Sequence, residues 1–130
     1  MATGQRIVLV EDEGPLRAIL ARNLRVRGYE VVEAASGAAA LAAMAGAPPA
    51  LLVLDVNLPD LTGWEVLRRL PPEARRIPLV VCSAVPPHPK RVREFAGITF
   101  LQKPFPLDAF LRVVADALGA GRVAAEEVGR

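Results

Sequence analysis

Acidic side chains follow two of the short apolar segments in this chain. Glu11, Asp12 and Glu13 come directly after the first segment, and Asp55 ends the third. Carboxylates that share one cleft repel each other, so they need a cation or a shared proton. Oxygen ligands without His or Cys select a hard cation. Mg²⁺ fits, because it takes one or two carboxylates together with a phosphate oxygen.

The alternative is that these acids only stabilise the positive end of the helix predicted from Pro15. That interpretation explains Glu13 well. It does not explain Asp55, because this residue interrupts an apolar run.

Two later segments end in groups that complement the carboxylates. The fourth ends in Ser83 and Ala84, which offer a hydroxyl and backbone N–H groups, and the fifth ends in Lys103, an ammonium. Phosphoryl transfer depends mainly on positioning and charge neutralisation, which a metal, a hydroxyl and an ammonium around one carboxylate provide. Asp55 is therefore the predicted nucleophile, and it would form an aspartyl phosphate.

The elements that must position these groups alternate between apolar runs and stretches of helical period. The predicted strands are 6–10, 29–34, 50–55, 78–83 and 98–102, and the predicted helices are 15–27, 37–46, a short one from 63, one from about 89 to 96, and 106–118. Runs that are apolar on both faces are typical of a buried parallel sheet. Right-handed β-α crossovers then predict a doubly wound α/β domain, in which ligands bind beyond the carboxyl ends of the strands.

Composition limits the other functions. The net charge of +2 comes without a basic tract, so we expect no direct DNA binding. The single cysteine, Cys82, suits a reducing compartment and a core position, and no apolar run is long enough to span a bilayer. We therefore expect a cytoplasmic protein without membrane contact, with one domain over residues 1–118 and a frayed polar tail over residues 119–130.

Four segments in order resemble the response-regulator receiver family. They are Ile7 to Glu13, Asp55 to Gly63, Ser83-Ala84, and Lys103-Pro104-Phe105. The resemblance runs from residue 6 to about residue 118. It implies a flavodoxin-like fold with a five-stranded parallel sheet in the order 2-1-3-4-5, flanked by five helices. It also implies a response regulator of two-component or phosphorelay signalling, here of the stand-alone type.

The resemblance implies a role for each residue of the site. Asp55 accepts a phosphoryl group from a histidine kinase, a histidine phosphotransfer protein or a small phosphodonor. Mg²⁺ binds Asp12, Asp55 and the backbone carbonyl of Asn57, with Glu11 acting through water. Lys103 binds a phosphoryl oxygen.

Switching and hydrolysis are assigned in the same way. Ser83 moves towards the phosphate and Phe100 turns inward, which changes the surface of the fourth helix, the fifth strand and the fifth helix. Asn57 and Val85 occupy the two positions that tune hydrolysis; Val85 cannot orient a water, which predicts a long-lived phosphate. The Lys103–Pro104 bond is expected to be cis.

The segment after Ser83 departs from the family's pattern, because it carries three prolines at positions 86, 87 and 89. Proline is excluded from helix interiors, so the fourth helix is expected to begin late, near Pro89. A stiffer loop with a smaller switching movement is our hypothesis for this face.

Two other functions compete with the receiver. A phosphorylation-independent adaptor would be expected to lack a pocket residue, but every one is present. An aspartyl phosphatase of the haloacid-dehalogenase type would need Asp-x-Asp after its first strand and room for a cap. Here Asp55 is followed by Val56 and Asn57, and we expect no room for a cap. We therefore expect a protein that is not an enzyme beyond its own phosphorylation and slow dephosphorylation. It should signal by protein contact, as a monomer or as a phosphorylation-dependent dimer.

Overall fold

The computed structural model describes residues 4–95 and 97–128. Strands and helices alternate through the whole of this part of the chain. In order they are β1 (Arg6–Val10), α1 (Gly14–Val26), β2 (Glu30–Ala34), α2 (Gly37–Ala43), β3 (Leu51–Asp55), α3 (Gly63–Arg69), a 3₁₀ helix (Pro72–Arg76), β4 (Leu79–Ser83), α4 (Pro89–Glu94), β5 (Ile98–Gln102) and α5 (Leu107–Val128).

The five strands form one sheet in the order β2-β1-β3-β4-β5, and every neighbouring pair is parallel. The apolar residues of β3 and β4 are all buried, as their continuous runs predict, and so are the polar residues that end the two strands, Asp55 and Ser83. The outer strands β2 and β5 are partly exposed. The predicted doubly wound fold and its strand order are confirmed.

Alternate residues of each strand supply the two halves of the core. From β1, Ile7 and Leu9 pack with Phe110 of α5 on one face of the sheet, while Val8 and Val10 pack on the other. Each large apolar side chain buried in this way stabilises the fold by roughly 1.5–3 kcal/mol. Core packing on both faces therefore holds the sheet in place, and with it the residues at its carboxyl edge.

Local signals at the helix ends explain where the chain turns. Pro15 lies in the first turn of α1, and Gly28 follows that helix with a φ of 95°, a conformation that glycine adopts readily. Ser36 caps α2 by accepting a hydrogen bond from the backbone N of Ala39 at 3.1 Å. This helix ends at Ala43, three residues before the predicted end at residue 46.

Helix α4 is short and lies on the surface. It begins at Pro89, as the prolines before it predict, and none of its residues is buried. Two contacts with α3 hold it: Arg68 Nε lies 2.7 Å from Glu94 Oε2, and the ring of Trp64 stacks on Phe95 with centroids 5.7 Å apart. Helix α4 is thus attached by surface pairs and by Phe95, not by a buried face of its own.

Helix α5 continues to Val128, past the end predicted at residue 118 and into the stretch expected to be a frayed tail over residues 119–130. Residues 129 and 130 of that stretch lie outside the described residues. Alanines at 120, 124 and 125 have the highest helix propensity, which offsets the two isolated glycines at 119 and 121. The boundary proposed at residue 118 does not coincide with the end of a helix. No helix within residues 4–95 and 97–128 is both long and apolar enough to cross a membrane.

Candidate functional site

The candidate site lies at the carboxyl edge of the sheet, where β1, β3, β4 and β5 end side by side. Glu11 and Asp55 are 3% and 4% exposed, although both carry a carboxylate. Backbone hydrogen bonds extend the strand pairing into the loops: the N of Val56 donates to the carbonyl of Cys82, and the N of Lys103 to that of Ser83. The sheet therefore fixes the starting point of each loop.

Lys103 joins the two buried carboxylates. Its Nζ lies 2.6 Å from Oε1 of Glu11 and 3.0 Å from Oδ2 of Asp55. Burial on its own would lower the pKa of Lys103, but the hydrogen bonds to Glu11 and Asp55 outweigh it, so the pKa lies above its ordinary value. The ammonium is therefore charged at neutral pH and faces the oxygen of the predicted nucleophile.

A third carboxylate, that of Asp12, lies beside the two that bind this ammonium. Glu11, Asp12 and Asp55 each bring one oxygen to within 4.8 Å of the others, and Asp12 alone is exposed. Burial raises the pKa of Glu11, and the charge of Asp55 adds to this effect, while hydrogen bonds from Lys103 and from the backbone of Glu13 oppose it. The excess of negative charge and the oxygen-only donors fit a hard dication such as Mg²⁺.

The loop after β3 folds back against Asp55. The backbone N of Asn57 donates to Oδ1 of Asp55 at 3.3 Å, so each oxygen of this carboxylate has a donor. The N of Gly63 donates to the carbonyl of Val56 at 2.8 Å, and Asn57 forms an isolated antiparallel bridge with Thr62. These bonds close the loop of residues 57–62, which carries Asn57 beside the acids.

Ser83 and the residues after β5 border the same place. Ser83 is buried, and its Oγ accepts a hydrogen bond from the backbone N of Val85 at 3.1 Å. The Lys103–Pro104 peptide bond is cis, as predicted. Beside Lys103 lies a cleft of about 370 Å³, whose lining includes Leu16, Ala84 and Phe105.

Two of the predicted functional residues lie outside the carboxylate cluster. Val85 is 69% exposed, which leaves its apolar side chain in solvent. Phe100 lies in β5 opposite Val81 and packs, partly buried, against the core on the face that carries α2 and α3. The structure therefore brings together Glu11, Asp12, Asp55 and Lys103, with Asn57 and Ser83 at the margin.

Cys82 fits the core position expected for it. It lies opposite Asp55 in the sheet and is buried. Burial raises the pKa of its thiol to about 12. A thiol in this state is not a nucleophile at neutral pH.

Sequence reasoning gave no role to Arg17 and Asp60. Arg17 Nη1 donates to the carbonyl of Glu11 at 2.8 Å and so supports the backbone that carries the acids. Asp60 binds the first turn of α2 through both carboxylate oxygens. The partners of Asp60 lie more than 20 positions away, so no local pattern indicates them. Arg17 is only six residues from Glu11, but an arginine within a helix carries no signal that it binds the preceding loop.

Comparison with known proteins places this geometry in a family. A family model of the response regulator receiver domain matches residues 7–115. The transcriptional regulatory protein KdpE of Mycobacterium tuberculosis is 37% identical over 122 residues, which cover 92% of this chain and 54% of that protein. This chain thus spans about half the length of the curated relatives it matches.

Solved structures agree with the sequence matches. The chemotaxis response regulator CheY4 of Vibrio cholerae has a TM-score of 0.80 and 25% identity, over 88% of this chain and 99% of that one. The receiver domain of the hybrid histidine kinase CckA has a TM-score of 0.73 and 35% identity, over 87% of this chain and 98% of that one. The chain therefore belongs to the response regulator receiver domain family of two-component signalling.

Proposed function

We propose that this receiver domain accepts a phosphoryl group on Asp55, from a histidine kinase or a histidine phosphotransfer protein. The observation that carries the proposal is Lys103, whose Nζ bridges Asp55 and Glu11. Lys103 would thus hold a positive charge beside the carboxylate that attacks, where it could also bind the oxygens of an incoming phosphoryl group.

The chemistry forms one bond and breaks another. A carboxylate oxygen of Asp55 attacks phosphorus, the P–N bond to the donor imidazole breaks, and the imidazole nitrogen keeps the electron pair and takes up a proton. Lys103 can transfer its hydrogen bond from Asp55 to a phosphoryl oxygen without leaving Glu11, because it already contacts both acids. The reaction modifies the protein itself, so this is not an enzyme acting on external substrates.

Glu11, Asp12, Asp55 and the backbone of Asn57 are the residues that would hold Mg²⁺. The ion would neutralise part of the charge on the phosphoryl oxygens while the new bond forms. The support for this assignment is the set of three carboxylate oxygens within 4.8 Å of one another, of which the ammonium of Lys103 contacts those of Glu11 and Asp55.

We further propose that phosphorylation switches the surface of α4, β5 and α5 through Ser83 and Phe100. Ser83 holds its hydroxyl at the end of β4, one residue beyond Cys82, the partner of Asp55 in the sheet, and a phosphate on Asp55 would offer it a charged acceptor. The signal would then pass to another protein in the cytoplasm by contact. The exposed Val85 provides no group that could orient an attacking water, so a long-lived phosphate is part of the proposal.

Acetyl phosphate tests the central claim. The protein is incubated with it, with and without Mg²⁺, and its intact mass is followed beside an Asp55→Asn control. We expect a phosphoryl adduct that requires Mg²⁺ and is absent in the control. An unmodified protein under every condition would refute the proposal and favour a phosphorylation-independent adaptor, while a half-life of seconds for the adduct would refute only the claim about hydrolysis.

A further inference from the structure

The tip of the loop after β3 is attached to the start of α2. Oδ1 of Asp60 accepts a hydrogen bond from the backbone N of Gly37 at 2.7 Å, and Oδ2 accepts one from the N of Ala38 at 2.9 Å. The first N–H groups of a helix have no partner within it, so a carboxylate satisfies two of them at once. The same bonds, that from Ala38 first, hold the pKa of Asp60 below its ordinary value.

Steric contact reinforces this attachment. A Cβ on Gly37 would lie 2.8 Å from Cβ of Leu61 and 2.9 Å from its Cδ1. Only a residue without a side chain lets the loop approach α2 so closely. The sequence thus provides both the acceptor at 60 and the space at 37.

The other end of the same loop is attached to the phosphorylation site. The bridge between Asn57 and Thr62 and the bond from Gly63 to Val56 close it, and the N of Asn57 donates to Asp55. Residues 57–62 therefore have two anchors, one at the acids and one at α2. Without the hydrogen bonds of Asp60, the loop would keep its short-range bonds and the packing of Leu58 and Leu61 against the core, but no hydrogen bond to α2 among those described.

We infer that Asp60 is a positioning residue for the phosphorylation site, because its bonds to Gly37 and Ala38 hold the loop that carries Asn57 in place. This inference rests on the function proposed above, in which the Asn57 backbone helps to hold Mg²⁺. Among the hydrogen bonds the structure describes, Asp60 makes none to the acids or to Lys103, so its role is exerted through the loop.

A purely structural role for Asp60, as a cap of α2, must be separated from positioning. Ser36 provides the matched control, because its Oγ also accepts a hydrogen bond at this helix start, from the N of Ala39. Ser36 lies in the chain entering α2 and has no hydrogen bond to the loop of residues 57–62 among those the structure describes. Ser36→Ala and Asp60→Ala therefore both weaken the helix start, but only Asp60→Ala releases the loop.

The test compares the two variants with wild-type protein in two measurements. The first is a MgCl₂ titration followed by the amide resonance of Asn57, and the second is the rate of labelling by acetyl phosphate. We expect Asp60→Ala to weaken Mg²⁺ binding and slow labelling by about tenfold, the lower end of the effect of outer residues on metal sites. Ser36→Ala should match wild type in both, and Asp60→Asn, which keeps one acceptor oxygen, should recover part of the loss.

Equal behaviour of Asp60→Ala and Ser36→Ala in both measurements would overturn the inference. If wild-type protein itself bound no Mg²⁺ and gave no adduct, the proposed function would fail instead. Hydrogen exchange of the Asn57 and Gly63 amides in metal-free protein then decides the positioning role. Faster exchange in Asp60→Ala alone would support it, and unchanged exchange would refute it.

Discussion

Replacing Gly63 with alanine should distort the proposed phosphorylation site by displacing the backbone of Asp55. A Cβ at this position would lie 2.7 Å from the carbonyl oxygen of Asp55, 3.0 Å from Cα of Val56 and 3.3 Å from the carbonyl carbon of Asp55. All three neighbours are backbone atoms of Asp55 and Val56, so no side-chain rotation can relieve the overlap.

The size of the effect follows from these distances. The Cβ and the oxygen must separate by about 0.7 Å to reach the 3.4 Å at which ordinary contact begins. Insertion of a methyl into a packed site costs about 1–3 kcal/mol. The lower entropy of an unfolded chain with alanine returns about 0.4–1 kcal/mol. We expect a net loss of about 1–2 kcal/mol in the free energy of unfolding.

Urea denaturation measures this loss, with Gly46→Ala as the control. A Cβ on Gly46 would meet nothing within 4 Å, so the same chemical change should leave stability unchanged or slightly higher. Acetyl phosphate labelling should also slow in Gly63→Ala, because the backbone of Asp55 must move. If the two variants unfolded with free energies within about 0.5 kcal/mol of each other, the steric reasoning would be wrong.

Other perturbations test the charges, the α3–α4 contact and the core. In Mg²⁺-free buffer, Glu11→Gln should raise the free energy of unfolding at pH 7 by on the order of 1 kcal/mol, because it removes one of three clustered charges. The raised pKa of Glu11 means that the folded state binds its proton more tightly than the unfolded state does. Urea melts should therefore show the gain in stability fading as the pH falls towards 4.5, the ordinary pKa of the group. A gain that stays constant with pH would show that it does not come from the charge of Glu11. Arg68→Ala should speed amide exchange in α4 with little change in the urea midpoint, because the ion pairs of Arg68 are partly exposed. Arg69→Ala on the same helix is the control. Equal exchange in the two variants would show that Arg68 does not hold α4. Leu54→Ala should lower the free energy of unfolding by about 2–5 kcal/mol in urea melts, since Leu54 is fully buried beside Asp55. A loss below about 1 kcal/mol would show that the core around residue 54 closes up and leaves no cavity.

The sequence contains strong signals for the central part of the fold. The run of four apolar residues before Asp55 predicts a buried strand, and the carboxylate that ends it predicts a site at the edge of the sheet. Strand order was harder to predict, because periodicity says which residues are buried but not which strands are neighbours. The resemblance to the receiver family supplied the order, which the structure confirms.

What the sequence did not reveal depends on contacts between distant residues. Arg68 and Glu94 are 26 positions apart, and Asp60 and Gly37 are 23 apart, so local patterns give no sign of either pair. Helix α5 continues past residue 118, its predicted end, for another reason. Gly119 and Gly121 suggested a frayed tail, but the alanines around them favour a helix.

The stacking of Trp64 on Phe95 makes Trp64 an intrinsic fluorescence probe of this contact. Trp64 is the only tryptophan in the chain, so the indole fluorescence comes from one site. Its ring lies with a 19° angle between planes against the residue that follows α4. A change in emission on adding a phosphodonor would therefore report movement of α4 relative to α3 directly, in unlabelled protein and in real time.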